Sequence, residues 1–391
     1  MLYLTATGRN DWASQIAGSP SKSFFYPSVG LSWVPSSTWD LGNAFSYLKL
    51  RGSIASVGLP FPRFLTTPTY EYDATGKIWK DKTHYPIGDL KPERTITYEV
   101  GIDARLWKNI SLSASWYSAD TKNQTFDPAL PPSSSYTTIY LQTGHVRNTG
   151  VELSLGYSNQ WRDFGWSSNF TFSWNKNEIV DLASGALNPV TGQPLNLSEL
   201  DIKGLGKAKY ILKQGGTLGD LYTTSDLKFN DNGYVEVDKA GNLLLTDEGE
   251  QIYLGSVFPS ENLAWRNDFR YKGINLGLLF TGRIGGICYS ATQANMDLYG
   301  VSEVSAAARD SGGVLINGRE MVDAQKWYQA IGSQSGLPQY YTYSATNFRL
   351  QELSLGYTLP RKWFRNKMVL TVSFVGRNLW MIYCKAPFDP E

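Results

Sequence analysis

The sequence predicts an all-β protein, a transmembrane antiparallel β-barrel with long loops at one end and short turns at the other. Three observations predict it. Apolar and polar residues alternate with period two in about eleven segments. Each segment is roughly nine to twelve residues long, which suits a strand crossing a bilayer at a tilt near 45°. Aromatics make up 14% of the chain and charged residues only 18%, where roughly 25% is usual for a soluble domain.

The alternation starts in LYLTAT, where Leu2, Leu4 and Ala6 share a face. In FYPSVGLSW the shared face carries Phe25, Val29, Leu31 and Trp33. YLKLRGSI sets Leu48, Leu50 and Ile54 against Lys49, Arg51 and Ser53. The strictest case is ERTITYEVGIDARLWKN. Ile96, Tyr98, Val100, Ile102, Ala104 and Leu106 lie on one side, and Thr95, Thr97, Glu99, Gly101, Asp103 and Arg105 on the other. ISLSASWYS places Ile110, Leu112, Ala114 and Trp116 against serines, and GVELSLGYS places Val151, Leu153, Leu155 and Tyr157 against Glu152, Ser154 and Ser158. WSSNFTFSWN sets Trp166, Phe170, Phe172 and Trp174 against Ser167, Asn169, Thr171 and Ser173. NLAWRNDFRY opposes Leu263, Trp265, Phe269 and Tyr271 to Arg266, Asp268 and Arg270. INLGLLF and LTVSFVGR keep the rule, and FRLQELSLGY breaks it once between Leu350 and Leu353, which predicts a bulge.

A sheet with one apolar face and one face bearing carboxylates and guanidinium groups suits lipid on one side and a wet lumen on the other. No apolar run of about 18 residues exists, so a helical membrane protein is excluded. Mean hydropathy is −0.30. The net charge of +1 gives no bulk electrostatic case for nucleic acid or acidic lipid. Trp33, Trp107, Trp116, Trp166, Trp174, Tyr271 and Tyr357 sit near strand ends, where interfacial girdles belong. Connections alternate between tight (107–109, 159–165, 271–273, 360–367, with 35–45 of middling length) and long (9–22, 58–92, 121–144, 177–260, 285–346). The alternative is a soluble β-sandwich with a dry core and an outer polar face.

LKPERTITYEVGID (90–103) resembles the LKPE-T-YE-G-D signature of the SusC/RagA-type TonB-dependent outer-membrane transporters. FYPSVGLSW, YLKLRGSIASVG, HVRNTGVELSLGY, FSWNKNEIVDL, GTLGDLYTTSDLKFNDNGYVEVD, FRLQELSLGYTLPRKW and FVGRNLW are similar to further segments of that family in the same order. The resemblance implies a barrel of about 22 strands with a plugged lumen, of which residues 1–391 would be a C-terminal portion. MLYLTATGRN lacks a basic region and an apolar region and starts in mid-pattern. A signal peptide, an N-terminal extension, a plug with its TonB box and a final strand are therefore expected to lie outside it. The resemblance also implies outer-membrane location and import of oligosaccharides or peptides. The energy would come from TonB with ExbB and ExbD, acting through the missing N-terminal part, and a SusD-like surface lipoprotein would act as lid.

Candidate site residues fall into two sets. Arg51, Glu99, Asp103, Arg105, Glu152, Arg266, Asp268 and Arg270 are expected to face the lumen, salt-bridged together or holding a plug. Glu99, Asp103 and Glu152 also raise the reading of a glycosidase carboxylate pair. Among the loop aromatics, Trp79, Tyr85, Trp327 and Tyr328 are the expected contacts to substrate or partner, with Tyr136, Tyr140, Tyr340 and Tyr341 beside them. His84 and His145 lack partners at metal or triad spacing. Cys288 and Cys384 are expected to be unpaired thiols. NDNGY (230–234) predicts a hairpin tip, and 226–238 fails the calcium-loop register, with Lys228 and Lys239 at ligand positions. Segments 302–310 and 320–332 predict small helices in the last long loop. No cofactor and no catalysis are expected. A passive porin or adhesin barrel, and less so a soluble β-rich glycan-active enzyme, remain the competing readings.

Overall fold

A computed structural model describes residues 1–16, 23–59, 70–81, 84–85, 91–126, 138–182, 197–246, 249–333 and 335–390. Its main feature is a single eleven-stranded antiparallel sheet in which each strand pairs with its sequence neighbour. The strands are β1 (Leu2–Asp11), β2 (Phe24–Trp33), β3 (Phe45–Leu59), β4 (Glu93–Leu106), β5 (Ile110–Phe126) and β6 (Leu141–Trp161). They continue through β7 (Phe164–Asp181), β8 (Pro259–Tyr271), β9 (Ile274–Gly285), β10 (Asn347–Thr358) and β11 (Thr371–Cys384). β1 and β11 form the two edges.

The eleven strands agree with the period-two count, but several are longer than expected. β6 runs for 21 residues and β7 for 18. Only the lower part of each carries the apolar alternation; the upper part continues the ladder with polar residues such as Arg147, Asn148 and Lys176. The bulge in FRLQELSLGY is present: Leu350 pairs with Phe280 and Glu352 with Leu279, so Gln351 is the extra residue. Tight turns obey backbone chemistry. Lys272 and Gly273 both have positive φ (45° and 90°) between Tyr271 and Ile274, the condition for the primed turn that matches strand twist.

Register confirms the two faces. Val100, Trp116, Val151 and Trp174 form one continuous cross-strand row, and Ile102, Ala114, Leu153, Phe172 and Leu263 form the next. Residues directly opposite share a face. This apolar face is uncovered: Val100 is 60% exposed, Leu155 45% and Trp265 47%. A sandwich would bury these positions against a second sheet. On β7 the band is bounded by Trp166 and Trp174, about 27 Å apart along the strand. Tilted near 40°, that is roughly 20 Å of bilayer normal, comparable with the ~25 Å apolar band of an outer-membrane barrel. Asn267 breaks the apolar run, yet it is 4% exposed and accepts a hydrogen bond from Trp166 Nε1 at 3.2 Å.

The cores lie above the sheet, at the end with the long loops. One joins the upper ends of β5–β7 to a four-stranded loop sheet (Glu199–Leu205, Ala208–Lys213, Asp220–Thr223, Ile252–Ser256) through Phe126, Val146, Ile179, Leu182, Leu200 and Leu212. The other draws Leu227 and Leu243 from the loop after β7 and Ala294, Ile316, Val322, Tyr328, Ile331, Leu337 and Tyr341 from the loop after β9. That second loop carries α1 (Ala291–Leu298), α2 (Glu303–Asp310) and α3 (Ala324–Ile331). α2 matches the expected helix at 302–310. The expected helix at 320–332 starts late, because Glu320–Val322 instead pairs with Val314–Ile316 as a hairpin.

Candidate functional site: the polar wall and the loop body

The polar face of the sheet gathers the predicted charges. Arg51 on β3 lies opposite Gly101 on β4, between Glu99 and Asp103. Its Nη1 donates to Glu99 Oε1, and its Nε lies 3.6 Å from Asp103 Oδ2. Ser113 Oγ donates to Asp103 Oδ1 at 2.7 Å, and Lys49 Nζ approaches Asp103 at 3.9 Å. Gly101 is a glycine for a reason. A Cβ there would sit 2.8 Å from Arg51 Nε and 2.9 Å from its Cζ, so the guanidinium lies flat across the bare backbone and reaches both carboxylates.

A second network centres on Arg266. It contacts both oxygens of Asp268, at 3.0 Å and 3.1 Å, and Glu352 Oε1 at 3.5 Å. Arg377 Nε donates to Glu352 Oε2 at 3.2 Å. Lys49, Glu352 and Arg377 were not among the expected site residues. Glu352 follows the bulge that switches facing parity, so a simple alternation misplaces it. Arg377 lies on the edge strand next to it.

The remaining charges line hollows along the same face. Arg51 and Glu152 border one of about 350 Å³ whose other polar walls include Ser113, Ser115, Ser154 and Thr171. Arg105 borders a second, about 320 Å³, with Lys108, Ser111 and Ser158. Arg266, Asp268 and Arg270 border a third, about 740 Å³, with Asn109, Ser158 and Gln160. The wall between the ion networks is mostly hydroxyls and amides. It offers many weak hydrogen-bonding groups and little fixed charge.

The loop aromatics separate into different environments. Trp79 is 68% exposed on a hairpin (Tyr70–Asp73 with Ile78–Asp81), its ring tilted against Tyr72 at 5.2 Å. Tyr85 lies in a short strand, His84–Tyr85, paired in parallel with Thr138–Ile139. Trp327 is half-buried, edge-on to Tyr340 at 6.0 Å. Tyr328 corrects its expectation as a contact residue: it is 6% exposed and part of the loop core. Tyr341, 2% exposed, joins it there. Ala324, Trp327, Tyr328 and Ile331 recur at helical spacing, which turns these rings inward. Tyr136 lies outside the described residues.

Polar ties lock the two long loops into one body. The Asn317 side chain makes two hydrogen bonds to the Val235 backbone, at 2.8 Å and 3.0 Å. Gln339 Nε2 donates to Ser225 O and Asp226 Oδ1, and Lys326 Nζ donates to Ala240 O. The NDNGY tip is a turn, with Gly233 at φ 76°, Asn230 N–H donating to Tyr234 O at 2.9 Å and Tyr234 N–H donating to Asn230 Oδ1 at 3.1 Å. Burial pushes the Tyr341 phenol up, helped by the Asp297 carboxylate. Tyr340 is pushed up to about 12 by burial, with the charge of Asp226 adding to it. Cys288 and Cys384 are free thiols, and burial raises Cys288. His145 Nε2 lies 2.8 Å from Asp120 Oδ1, which Arg147 also bonds. Among the described residues there is no cluster of three or more metal-ligating side chains.

The model for the TonB dependent receptor-like β-barrel matches residues 1–258. The chain belongs to this family. As a TonB-dependent receptor barrel it is an outer-membrane protein, so its uncovered apolar face meets lipid. It is 24% identical to TonB-dependent receptor P3 of Formosa agariphila over 99% of its own length and 40% of that protein. It is 20% identical to TonB-dependent receptor SusC of Bacteroides thetaiotaomicron over 85% of its length and 32% of that protein. The fold matches the RagAB peptide transporter with a TM-score of 0.74 at 21% identity, covering 100% of this chain and 43% of that one. The chain thus spans about two fifths of the length of TonB-dependent receptor P3 and of the RagAB transporter chain.

Proposed function

We propose that residues 1–391 form the C-terminal portion of the barrel wall of a SusC/RagA-type importer that moves oligosaccharides or peptides across the outer membrane. TonB, with ExbB and ExbD, would supply the energy through a plug carried by the rest of the polypeptide. A SusD-like surface lipoprotein would close the extracellular side. The observation that carries this reading is the pairing of a lipid-facing apolar band with a polar wall whose charges sit in discrete networks. A plug must be held firmly and released on demand, and the Arg51–Glu99–Asp103 and Arg266–Asp268–Glu352 clusters offer separable polar contacts for it. The hydroxyl-rich wall between them suits neutral sugars or peptide backbone. The similarity to a peptide transporter supports the peptide class. Of the expected contact residues, Trp79 presents an exposed ring that could stack on a ligand or lid, and no covalent chemistry is needed.

The test is uptake of labelled oligosaccharides and peptides by cells carrying the full-length transporter, with and without a functional tonB gene. Uptake of either class that disappears without TonB supports the importer. Uptake that persists unchanged favours a passive porin. Copurification of a surface lipoprotein with the tagged barrel tests the lid.

A further inference from the structure

The lipid-facing side of the sheet changes character abruptly toward the long loops. Its last apolar row is Val100, Trp116, Val151 and Trp174. The next row is Tyr98, Ser118, Thr149 and Lys176, then Ile96, Asp120, Arg147 and Glu178. Above these, Arg94 and Lys122 stand directly opposite each other. The tryptophans mark the level of the membrane interface. Successive rows are two residues apart, about 5 Å of bilayer normal at the tilt of a barrel strand. Lys176 therefore lies about 5 Å above the tryptophan row, within the headgroup layer, Arg147 about 10 Å above it, at the layer's outer edge, and Arg94 and Lys122 about 15 Å above it, where their long side chains reach down toward the headgroups.

All four cations are exposed. Two carboxylates share the face: Asp120, bonded by Arg147 Nε at 2.9 Å, and Glu178, bonded by Lys176 Nζ at 2.7 Å. The Arg94–Lys122 pair is different. Like charges directly opposite in a sheet destabilise it, so this pair costs energy unless an anion lies between them. Arg94 Nε donates to Ser56 Oγ at 2.9 Å, which anchors the guanidinium on this face.

We infer that Arg94, Lys122, Arg147 and Lys176 form a binding site for the phosphate groups of anionic lipid in the outer leaflet, with the Arg94–Lys122 pair as its centre. Whole-chain charge is near zero, so the attraction is local. Bidentate guanidinium and point-charge ammonium donors are the groups that hold phosphate. The site rests on the outer-membrane location alone and is independent of which nutrient the protein carries.

The experiment is native mass spectrometry of the full-length transporter released from nanodiscs containing phosphatidylglycerol, counting retained lipid. The Arg94→Gln/Lys122→Gln double variant is expected to lower retention on the order of 25-fold, about fivefold per cation near a membrane surface. Lys176→Gln should give the single-cation fall. Arg266→Gln removes a cation from the opposite face and should leave retention unchanged. Equal retention in the double variant, or an equal fall in Arg266→Gln, overturns the site. Inorganic phosphate in millimolar excess is expected to leave the lipid bound. Displacement by it would assign the cations to a soluble anion and overturn the lipid assignment.

Discussion

The sheet and the loop body above it solve burial in opposite ways. In the sheet the apolar residues point away from the protein, and Val100 and Leu155 are substantially exposed to what would be lipid. In the loop body they point inward: Ala294 and Leu337 are fully buried, and Ile331 nearly so. The sheet is therefore held chiefly by its hydrogen-bond ladder and by the surrounding bilayer, and the loop body by an ordinary core. One chain is folded by two solvents, and the same kind of substitution should do different damage in each.

The largest expected effect falls in the loop core. Leu337→Ala should cost about 2–5 kcal/mol, as truncation of a buried leucine does. It should raise the protease sensitivity of 197–246 and 285–346 together, because Leu227 and Leu243 pack in the same cluster. The sheet should keep its heat-resistant mobility. Loss of the sheet along with the loops would mean that the two regions are one cooperative unit.

Next comes the lipid face. Leu153→Arg should cost about 2–4 kcal/mol in bilayer unfolding experiments, the price of a cation deep in an outer-membrane barrel's apolar band. Ser154→Arg, one residue on, projects into the polar wall beside Arg51 and Glu152 and should cost far less. Equal effects would break the assignment of faces. A smaller test lies at the periplasmic girdle. Trp166→Phe removes the donor to buried Asn267 and should destabilise by about 1–3 kcal/mol, the cost of an orphaned polar group.

The same contrast explains what could be read from sequence. The eleven strands were legible because a strand between lipid and water must alternate strictly, and the Leu350–Leu353 bulge was legible as the one break in that rule. Arg51, Glu99 and Asp103 were legible as a set because the alternation puts them on one face, and neighbouring strands bring them together. Glu352 and Arg377 were not, since the bulge shifts the parity of Glu352, its partner Arg266 comes from a strand reached only through β9, and Arg377 bonds Glu352 from the edge strand. The loop body was opaque. Its core joins Leu227 to Leu337 across the sheet-forming segment of β8 and β9, and no local period announces such a pairing. Tyr328 was misassigned for that reason: an aromatic in a long loop looks like a ligand platform until its helix finds a partner surface.

The smallest and most localised expectation concerns pH. Tyr340, raised to about 12, and Tyr341, raised further by burial and Asp297, both favour the neutral phenol in the folded loop body. In the unfolded chain a tyrosine ionises near 10. Because the folded values are higher, the contribution of these phenols to stability is complete below about pH 10. It is lost as pH rises from about 10 through about 12 and beyond, where the unfolded state releases protons that the folded state still holds. Loop-body tertiary signal should therefore decline in that window while the strand signal of the sheet persists, since the ladder of β1–β11 contains neither phenol. Tyrosinate absorbance recorded alongside circular dichroism separates the two. Tyr341→Phe removes one of the titrating groups and should flatten part of the decline. A parallel fall of both signals, unchanged in that variant, would place the alkaline weakness in the sheet instead of in the loop core.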